Sequence, residues 1–342
     1  MESARLADTL RTSIERHAFS GVVSIKRNGR VLFEEAAGYA DRSNKIGNTL
    51  ETRFGIASGT KFLTALAVGR LIIAQKLSFD TKLKDCLALD FPRYSPDITI
   101  RHLLTHTSGI PDYYDEEKVT DFDNFALSIP CYELKGPRDY LPLFPDAPMK
   151  FKPGERFSYS NSGYILLGVV IEELTGVKYQ EFVDREIFKP AGMNQSGYFA
   201  FDQLPERTAL GYIEQGCGWR TNIYTLPSIG ASDGGAYTTV HDMASLWKAF
   251  WACEILPREM VETYAAPFVR AETEGEHTYV GHGLWLKMVP GRKQRVYLTG
   301  CDAGVSFRST VNREDDLLVT VISNTTNGAW PVLKDVDVAL GA

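Results

Sequence analysis

Apolar and polar positions follow different periods at the ends and in the middle of this chain, and these periods predict its elements. Apolar residues recur at intervals of four over residues 3–17, which predicts an amphipathic helix; they are Leu6, Leu10 and Ile14. Two strand-like runs then flank Asn28-Gly29, a pair typical of a two-residue hairpin turn because both positions take positive φ. A last helix is predicted to begin near Trp330.

The C-terminal part of the chain carries further runs rich in β-branched and aromatic residues. We predict successive strands with short turns in YVGHGLWLKMV, QRVYLT, GVSFRSTVN and LLVTVISN. These strands and the first hairpin are expected to form one antiparallel sheet, with the two terminal helices packed on one of its faces.

The middle of the chain, from Gly59 to about Gly216, has mostly helical spacing of its apolar residues. ITIRHLLTHTSG predicts one short helix, NSGYILLGVVIEELTG predicts another that ends at Gly176, and residues 109–153 predict an extended loop region. The predicted fold class is therefore α/β (α+β): an antiparallel sheet flanked by terminal helices, with a large, mostly helical insertion.

We expect a single domain over residues 1–342 with two subregions that share one interface. Residues 1–57 and 217–342 form the sheet part in this prediction, and residues 58–216 form the mostly helical part. The sequence has neither an internal repeat nor a low-complexity linker that would separate two independent units. Ligand sites favour such junctions, so candidate chemistry is expected between the subregions.

Composition and charge exclude some classes of partner. The chain has 44% hydrophobic and 23% charged residues and a net charge of −6, without a basic stripe, so nucleic acid is not an expected partner. No apolar stretch reaches the roughly 18 residues that a membrane span needs. The N-terminus lacks the apolar core of a signal peptide, which predicts a cytoplasmic protein unless a leader has been removed. The five cysteines fit neither a zinc site nor a disulfide framework and are expected to be free thiols.

The first candidate chemistry lies in FGIASGTKFLTAL, where Ser58 and Lys61 interrupt an apolar helical pattern. A spacing of three places both side chains on one face of a helix. At a helix start, unpaired backbone N–H groups and the helix dipole favour negative charge on a serine oxygen. Lys61 is a candidate base for Ser58 if apolar neighbours lower its pKa. In the alternative interpretation, Ser58 is a helix N-cap and Lys61 points into solvent.

A second candidate pair lies in PGERFSYSNSGYILLG, just before an apolar helix. Tyr159 and Asn161 are two residues apart, so both side chains project to the same side of an extended chain. Tyr159 is a candidate proton relay between Ser58 and a leaving group, and Asn161 is a candidate ligand for a substrate carbonyl and for Lys61. Alternatively, Asn161 or Ser162 is the helix N-cap and Tyr159 is an interfacial aromatic.

A third candidate segment is YLTGCDAGVSFRS, in which Thr299-Gly300 is predicted to end a strand and open a turn. A strand edge beside Ser58 would offer the backbone N–H of Cys301 as a second donor to an oxyanion. Gly300 would let a substrate approach the backbone closely. The alternative is a plain hairpin corner, which Gly304 also fits.

S-x-x-K, then Y-x-N about a hundred residues later, then T-G on a late strand resemble in order the motifs of the penicillin-recognising serine hydrolases. The chain looks most like the branch of class C β-lactamases, D,D-peptidases and esterases, and the resemblance runs from about residue 20 to 325. Similar stretches include LSFDTKLKDCL, ITIRHLLTHTSGIPDY, FKPGERFSYSNSGYILLGVVIEELTG, IFKPAGM and GASDGGAYTTVHDMASL.

The resemblance implies an acyl-enzyme on Ser58 and neither a metal nor an organic cofactor. By position, Lys61 resembles the base or proton shuttle of that family. Tyr159 resembles its second proton relay, and Asn161 resembles its substrate-binding amide.

One position departs from the pattern of that family. Its third motif begins with Lys or His, a cation that helps to bind a substrate carboxylate, whereas this chain has Leu298 there. We therefore do not expect strong turnover of β-lactams or D-alanyl peptides. Arg308 or His282 is a candidate to supply the positive charge from elsewhere.

Three other patterns compete with this interpretation and are weaker. GASDG fits the G-x-S-x-G nucleophile elbow around Ser232, but Pro227 interrupts the strand that such an elbow needs. GIASGTK lacks the hydroxyl that a phosphate loop places after its lysine. His102 and His106 have the spacing of a zinc-protease pair, but Leu103 takes the place of its glutamate.

The sequence thus predicts a serine hydrolase that acts on an amide or ester, with a small molecule or peptide as its partner. The predicted catalytic residues are Ser58, Lys61 and Tyr159, and the predicted substrate-binding residues are Asn161, Thr299, Gly300 and Cys301. The alternative is a relative that keeps the pocket and senses a ligand without turnover, which Leu298 favours.

Overall fold

The computed structural model of the chain describes residues 2–88, 93–119, 121–272 and 275–341. Its α-helices within these ranges are α1 (Glu2–Arg16), α2 (Thr60–Ile73), α3 (Leu83–Cys86), α4 (Ile100–Leu104), α5 (Asn161–Thr175), α6 (Tyr179–Val183), α7 (Val240–Trp251), α8 (Arg258–Tyr264) and α9 (Ala329–Ala339). Short 3-10 helices cover Ala57–Gly59, Cys131–Glu133 and Pro137–Leu143, and a π-helical turn covers Asp184–Phe188.

The strands are β1 (Gly21–Arg27), β2 (Arg30–Ala37), β3 (Tyr39–Asp41), β4 (Ile46–Gly47), β5 (Phe54–Gly55), β6 (Tyr212–Gln215), β7 (Gly218–Thr221), β8 (Tyr237–Thr238), β9 (Val269–Arg270), β10 (Thr278–Val280), β11 (Trp285–Lys287), β12 (Arg295–Asp302), β13 (Val305–Asn312) and β14 (Leu317–Ser323). Eight of them form one antiparallel sheet in the order β2-β1-β14-β13-β12-β11-β10-β9. The prediction that both ends of the chain build one antiparallel sheet is confirmed. The remaining strands form three two-stranded pairs.

The first hairpin has the predicted turn. β1 and β2 pair from Gly21 opposite Ala37 to Arg27 opposite Arg30, and φ is 51° at Asn28 and 70° at Gly29. Both residues take the left-handed conformation that a two-residue turn needs to match the twist of its strands. Local sequence therefore determined this element.

The terminal helices cover one face of the sheet. Leu10 of α1 and Val332 of α9 are fully buried with Val23 and Val321 of the central strands, in an apolar cluster of their own. The opposite face, represented by Phe307 and Ile322, packs against the helical region in the main core. This alternation of side chains between two faces places the terminal helices and the helical region on opposite sides of one sheet.

Helix α2 is buried on nearly all sides between the sheet and helix α5. From Thr60 to Leu71 its residues are buried, apart from the partly exposed Arg70. A helix surrounded by protein needs no polar face, which explains its continuous apolar sequence. Lys61, on its first turn, is buried together with these apolar residues, and only 4% of it is exposed.

Two predicted boundaries are wrong. YVGHGLWLKMV forms two strands, β10 and β11, because the chain turns at residues 281–284, where Gly283 has φ of 80°. Thr299-Gly300 does not end a strand, since β12 continues to Asp302 and the hairpin turns at Ala303-Gly304. Among the described residues, none of the helices is both long and apolar enough to cross a membrane.

Candidate active site

Ser58 lies in the 3-10 turn Ala57–Gly59 that leads into α2. The N-cap of α2 is Gly59, and Ala57 has φ of 43°, an uncommon conformation for a residue with a side chain. The turn therefore presents Ser58 before the regular helix begins. The alternative interpretation of Ser58 as the helix N-cap is wrong.

Gly300 of β12 lies against this turn. A Cβ at Gly300 would be 2.2 Å from the carbonyl oxygen of Ile56 and 2.8 Å from the backbone nitrogen of Ser58, closer than non-bonded atoms can approach. The absence of a side chain therefore lets β12 come into contact with the backbone that carries Ser58. This is the physical reason for a glycine in the third motif.

The Lys61 side chain connects three segments that are distant in sequence. Its Nζ donates to Ser58 Oγ at 3.0 Å, to Asn161 Oδ1 at 2.7 Å and to the backbone carbonyl of Asp233 at 2.7 Å. A solvent-facing Lys61, the alternative at the sequence level, is therefore wrong. Three acceptors around one amine fix its position within hydrogen-bonding distance of Ser58.

Burial changes the acidity of this amine. Desolvation lowers the pKa of Lys61 below its ordinary value, and nearby carboxylates, Asp233 first, oppose that shift by favouring the charged form. A lowered pKa increases the fraction of neutral amine near pH 7. The neutral amine is the form that accepts a proton from a serine hydroxyl.

Tyr159 lies next to Ser58 and Lys61. Its hydroxyl forms a side-chain hydrogen bond with Ser58, and Nζ of Lys61 is 4.8 Å from its ring centroid. Its ring is stacked with that of His106, at 4.5 Å and 25°, and with that of Trp285, at 6.1 Å and 20°. Burial, with a further contribution from Glu116, raises the pKa of Tyr159 well above its ordinary value. The phenol therefore keeps its proton at neutral pH and is available as a donor.

Asn161 is the first residue of α5, and its side chain is free to face Lys61 because Ser160 is the N-cap. The Ser160 hydroxyl accepts from the N–H of Gly163 at 3.0 Å. The Asn161 amide nitrogen donates to the Tyr114 carbonyl at 2.9 Å and to Glu116 Oε1 at 3.1 Å. These two acceptors orient the amide so that its oxygen points at Lys61.

Asp112 supports the same helix start, although no motif identified it. Its carboxylate accepts from the backbone N–H groups of Asn161, at 2.6 Å, and Ser162, at 3.0 Å, and from the Ser162 hydroxyl. Burial raises the pKa of Asp112 to about 6, while these hydrogen bonds act in the opposite direction. A buried carboxylate at the N-terminus of α5 thus positions Asn161.

The GASDGG loop contacts the site through Asp233 and not through Ser232. Besides the backbone carbonyl that accepts from Lys61, the Asp233 carboxylate accepts from the Tyr113 hydroxyl at 2.5 Å. Ser232 is fully buried, and its hydroxyl has no hydrogen-bond partner in the described part of the chain. No motif in the sequence identifies Asp233; its one signal is its place in GASDGGAYTTVHDMASL, a stretch similar to the family.

The third segment lies beside Ser58 as an open strand edge. β11 pairs with β12 only from Arg295 to Tyr297, so residues 298–302 pair with β13 alone within the described sheet. The Thr299 hydroxyl donates to the Phe307 carbonyl at 3.2 Å, and Cys301 lines a cavity beside Ser58. Burial, with Asp302 nearby, raises the pKa of the Cys301 thiol to about 12, so the thiol stays protonated.

The family has a Lys or His at the position of Leu298. Among the described residues, neither His282 nor Arg308 replaces that cation. The ring of His282 packs on those of Phe79 and Tyr264, and burial lowers the pKa of His282 to about 4, so the ring is neutral at pH 7. Arg308 stacks instead on Tyr297 and on Trp330 of α9. Neither candidate supplies the missing charge.

Ser58 lies between two cavities of different character. The larger encloses about 930 Å³, its open mouth included, and its lining includes Asn161, Cys301 and Asp302. The narrower one, about 280 Å³, extends past Tyr159 to Leu298.

His102 in α4 and His106 just after that helix both have structural partners. His102 Nδ1 accepts from the backbone N–H of Thr99 at 3.2 Å, and His106 Nδ1 accepts from that of Ser160 at 3.0 Å. In the described part of the chain, no group of three or more His, Cys, Asp or Glu side chains has a geometry that could hold a metal ion.

An antiparallel sheet with both terminal helices on one face, and a serine–lysine pair where it meets a helical region, define the β-lactamase-like architecture. The sequence model of the Beta-lactamase family matches residues 6–341, and this chain belongs to that family.

Similar proteins include penicillin-binding proteins and an esterase. The crystal structure of a penicillin-binding protein from Bacillus halodurans is 45% identical, with a TM-score of 0.90 over 96% of this chain and 99% of that one. Penicillin-binding protein 4* of Bacillus subtilis (strain 168) is 33% identical over 206 residues, 58% of this chain and 43% of its own length. Esterase EstB of Burkholderia gladioli is 33% identical over 206 residues, 58% of this chain and 51% of its own length. The match thus spans about half the length of these two curated relatives.

Proposed function

We propose that the protein is a serine hydrolase that cleaves an amide or ester through an acyl-enzyme on Ser58. The observation that carries this proposal is the 3.0 Å contact between the buried Lys61 amine and the Ser58 hydroxyl, with the Tyr159 phenol on the same hydroxyl. A serine with two adjacent proton-transfer groups is the arrangement that nucleophilic catalysis needs.

In the acylation step, neutral Lys61 takes the proton of Ser58 as Oγ bonds to the substrate carbonyl carbon. The carbonyl electron pair moves to its oxygen, and the backbone N–H groups of Ser58 and Cys301 stabilise that oxyanion. When the tetrahedral intermediate collapses, the bond to the leaving group breaks and Tyr159 donates it a proton. The Lys61 ammonium then restores the proton of the phenol. Water reverses these steps on the acyl-enzyme and releases the carboxylic acid.

The remaining site residues position the substrate in this proposal. Asn161 binds the acyl part through its amide, and Thr299 and Gly300 form the strand edge along which the substrate lies. Leu298 makes the side of the narrow cavity apolar, so a leaving group with a carboxylate would lose its hydration without gaining an ion pair. Amides and esters with uncharged leaving groups are therefore the favoured substrates.

The test of Ser58 is covalent labelling with a fluorophosphonate, measured by intact mass. Wild type is expected to gain one adduct, and Ser58→Ala is expected to gain none while its circular dichroism stays unchanged. Ser232→Ala is the matched control, because it removes the serine of the competing G-x-S-x-G pattern and should leave labelling intact. Labelling that persists in Ser58→Ala would exclude this serine as the nucleophile.

The ligand-sensing alternative is separated from the hydrolase by turnover. A nitrophenyl ester should be hydrolysed steadily over many equivalents of enzyme if deacylation occurs. Release of a single equivalent followed by a stable acyl adduct would instead support a sensing relative, the alternative that Leu298 favours.

A further inference from the structure

Charged groups are distributed unevenly between the two cavities at Ser58. The narrow cavity contains Leu298 where a cation was expected, and its own cation, Lys61, is already bound to three acceptors. The larger cavity is lined by three carboxylates, those of Glu116, Asp233 and Asp302. No lysine, arginine or histidine of the described chain lines it. The larger cavity, which receives the acyl group in the proposed function, therefore carries negative charge.

Of the three carboxylates that line the larger cavity, that of Asp302 has the fewest contacts within the described chain that stabilise its negative charge. It ends β12, directly after Cys301, and its Oδ1 accepts only the N–H of its neighbour Ala303 at 2.8 Å. Among the described residues it forms no ion pair. Burial raises its pKa to about 7, and the charges of Glu116 and Asp233 add to that increase, whereas the Ala303 N–H and Lys61 act against it. A cation in the cavity would stabilise this charge.

Glu116 places a second carboxylate at the start of the same cavity. Its Oε1 accepts from Nδ2 of Asn161, whose Oδ1 accepts from Lys61. The Asn161 side chain therefore connects Glu116, which lines the larger cavity, to the amine of Lys61. The third carboxylate, Asp233, already accepts from Tyr113. Asp302 and Glu116 together define the region where positive charge is most favourable.

We propose that this cavity selects an acyl group that carries an ammonium beside the scissile carbonyl, with Asp302 as the residue that sets this specificity. The proposal rests on the proposed function of Ser58. The ammonium would lie between the carboxylates of Asp302 and Glu116, close to the backbone N–H groups that receive the oxyanion. An α-amino acyl group places an ammonium on the carbon next to the carbonyl, as this arrangement asks, since Asp302 directly follows Cys301 along the same cavity.

The rest of the cavity indicates what else the acyl group carries. Beyond the carboxylates the wall is mainly aromatic and aliphatic, formed by Tyr113, Tyr114, Phe122, Phe125, Leu127, Tyr140, Phe199, Phe201 and Tyr237. Such a wall favours a large apolar group. The substrate class is therefore an amino-acid amide or ester with a bulky apolar side chain and an uncharged leaving group.

The experiment compares phenylalanine methyl ester, in both enantiomers, with methyl 3-phenylpropanoate, which lacks only the amine. We expect kcat/KM for the better phenylalanine enantiomer to exceed that of the des-amino ester at least tenfold. Because an α-ammonium also activates an ester chemically, the decisive quantity is how this ratio changes in Asp302→Asn. The ratio should fall about tenfold in that variant.

The matched control is Asp337→Asn, which removes an exposed carboxylate on α9 that pairs with Arg295 away from the cavity. It should leave the ratio at the wild-type value. An unchanged ratio in Asp302→Asn, or equal kcat/KM for the amino and des-amino esters in wild type, would overturn the specificity proposal while leaving Ser58 as the nucleophile.

A binding measurement separates this inference from the proposed chemistry. In Ser58→Ala, calorimetry with phenylalaninamide and with 3-phenylpropanamide measures the cavity without any turnover. Tighter binding of the amine-bearing amide supports the inference even if no ester is hydrolysed. Equal affinities would contradict it, whatever the catalytic assays show. The Ser58→Ala/Asp302→Asn double variant should bind both amides equally.

Discussion

The ring of Trp285 lies nearly parallel to that of Tyr159, with 6.1 Å between the ring centroids and 20° between the planes. Tyr159 is also stacked with His106. Burial lowers the pKa of His106 well below its ordinary value, so this ring is neutral at pH 7. Two uncharged rings therefore stack with the phenol that contacts Ser58 in this chain.

Trp285→Leu should lower kcat by roughly ten- to a hundredfold, since the change lets the Tyr159 ring move away from Ser58. Trp285 also lines the narrow cavity, so KM is expected to change as well. Trp285→Phe keeps a stacking ring and should recover most of the rate. Steady-state kinetics on one ester, with kcat and KM determined separately, checks this. Equal losses in the Leu and Phe variants would contradict a role in stacking.

Lys61→Ala should reduce the rate of acylation by about 10²–10⁴, the usual contribution of a general base. In wild type, acylation should rise with pH as the amine loses its proton. The apparent pKa of that rise should lie below the ordinary value of 10.5, because burial lowers the pKa of Lys61. Stopped-flow acylation over pH 5–10 measures both effects. A profile that is unchanged in Lys61→Ala would remove this amine from the mechanism.

Gly300→Ala should disrupt the contact between β12 and the Ser58 turn. The new Cβ would meet the Ile56 carbonyl at 2.2 Å, and both partners are backbone, so relief requires one of them to move. We expect about 1–3 kcal/mol lost from the free energy of unfolding and a loss of fluorophosphonate labelling. The control is Gly218→Ala in β7, where the nearest atom to a Cβ is 3.8 Å away. Similar effects of both changes on labelling would count against this contact.

Asp302→Asn should stabilise the fold at pH 8 and should stabilise it by a smaller amount at pH 5. The folded pKa of Asp302, about 7, lies above the ordinary value of 3.8, so between these values the folded state binds a proton that the unfolded state does not. Stability therefore falls as pH rises from about 4 to 7, and the charged carboxylate is a cost above pH 7. Asparagine removes that cost, about 1–2 kcal/mol for this partly exposed side chain, or roughly 1–3 °C in Tm. Scanning calorimetry at the two pH values checks the difference.

Leu298→Lys should restore the cation that the third motif lacks. The new amine would enter the narrow cavity beside Tyr159 and Ser58. We expect faster acylation by a fluorescent penicillin, whose carboxylate gains an ion pair, by about tenfold relative to a neutral ester. Leu298→Met keeps the site apolar and serves as the control. If the penicillin-to-ester ratio is the same in the Lys and Met variants, Leu298 does not account for the substrate preference.

Local patterns in the sequence determined the elements of this protein and the identity of its reactive groups. The Asn28-Gly29 turn, the end of α5 at Gly176 and the start of α9 next to Trp330 each depend on a few adjacent residues. The spacing of Ser58 and Lys61 likewise follows from one short segment. The departure at Leu298 was visible in the sequence as well, although its effect was not.

Tertiary packing alone decided the surroundings of those groups. Lys61 is bound to Asn161, 100 residues away, and to the Asp233 carbonyl, 172 residues away. Trp285 contacts Tyr159 from β11, and Asp302 lines the larger cavity because β12 continues two residues past Gly300. The physical reason is that burial, pKa and charge balance depend on every segment that packs around a group, and these contacts have no period along the chain.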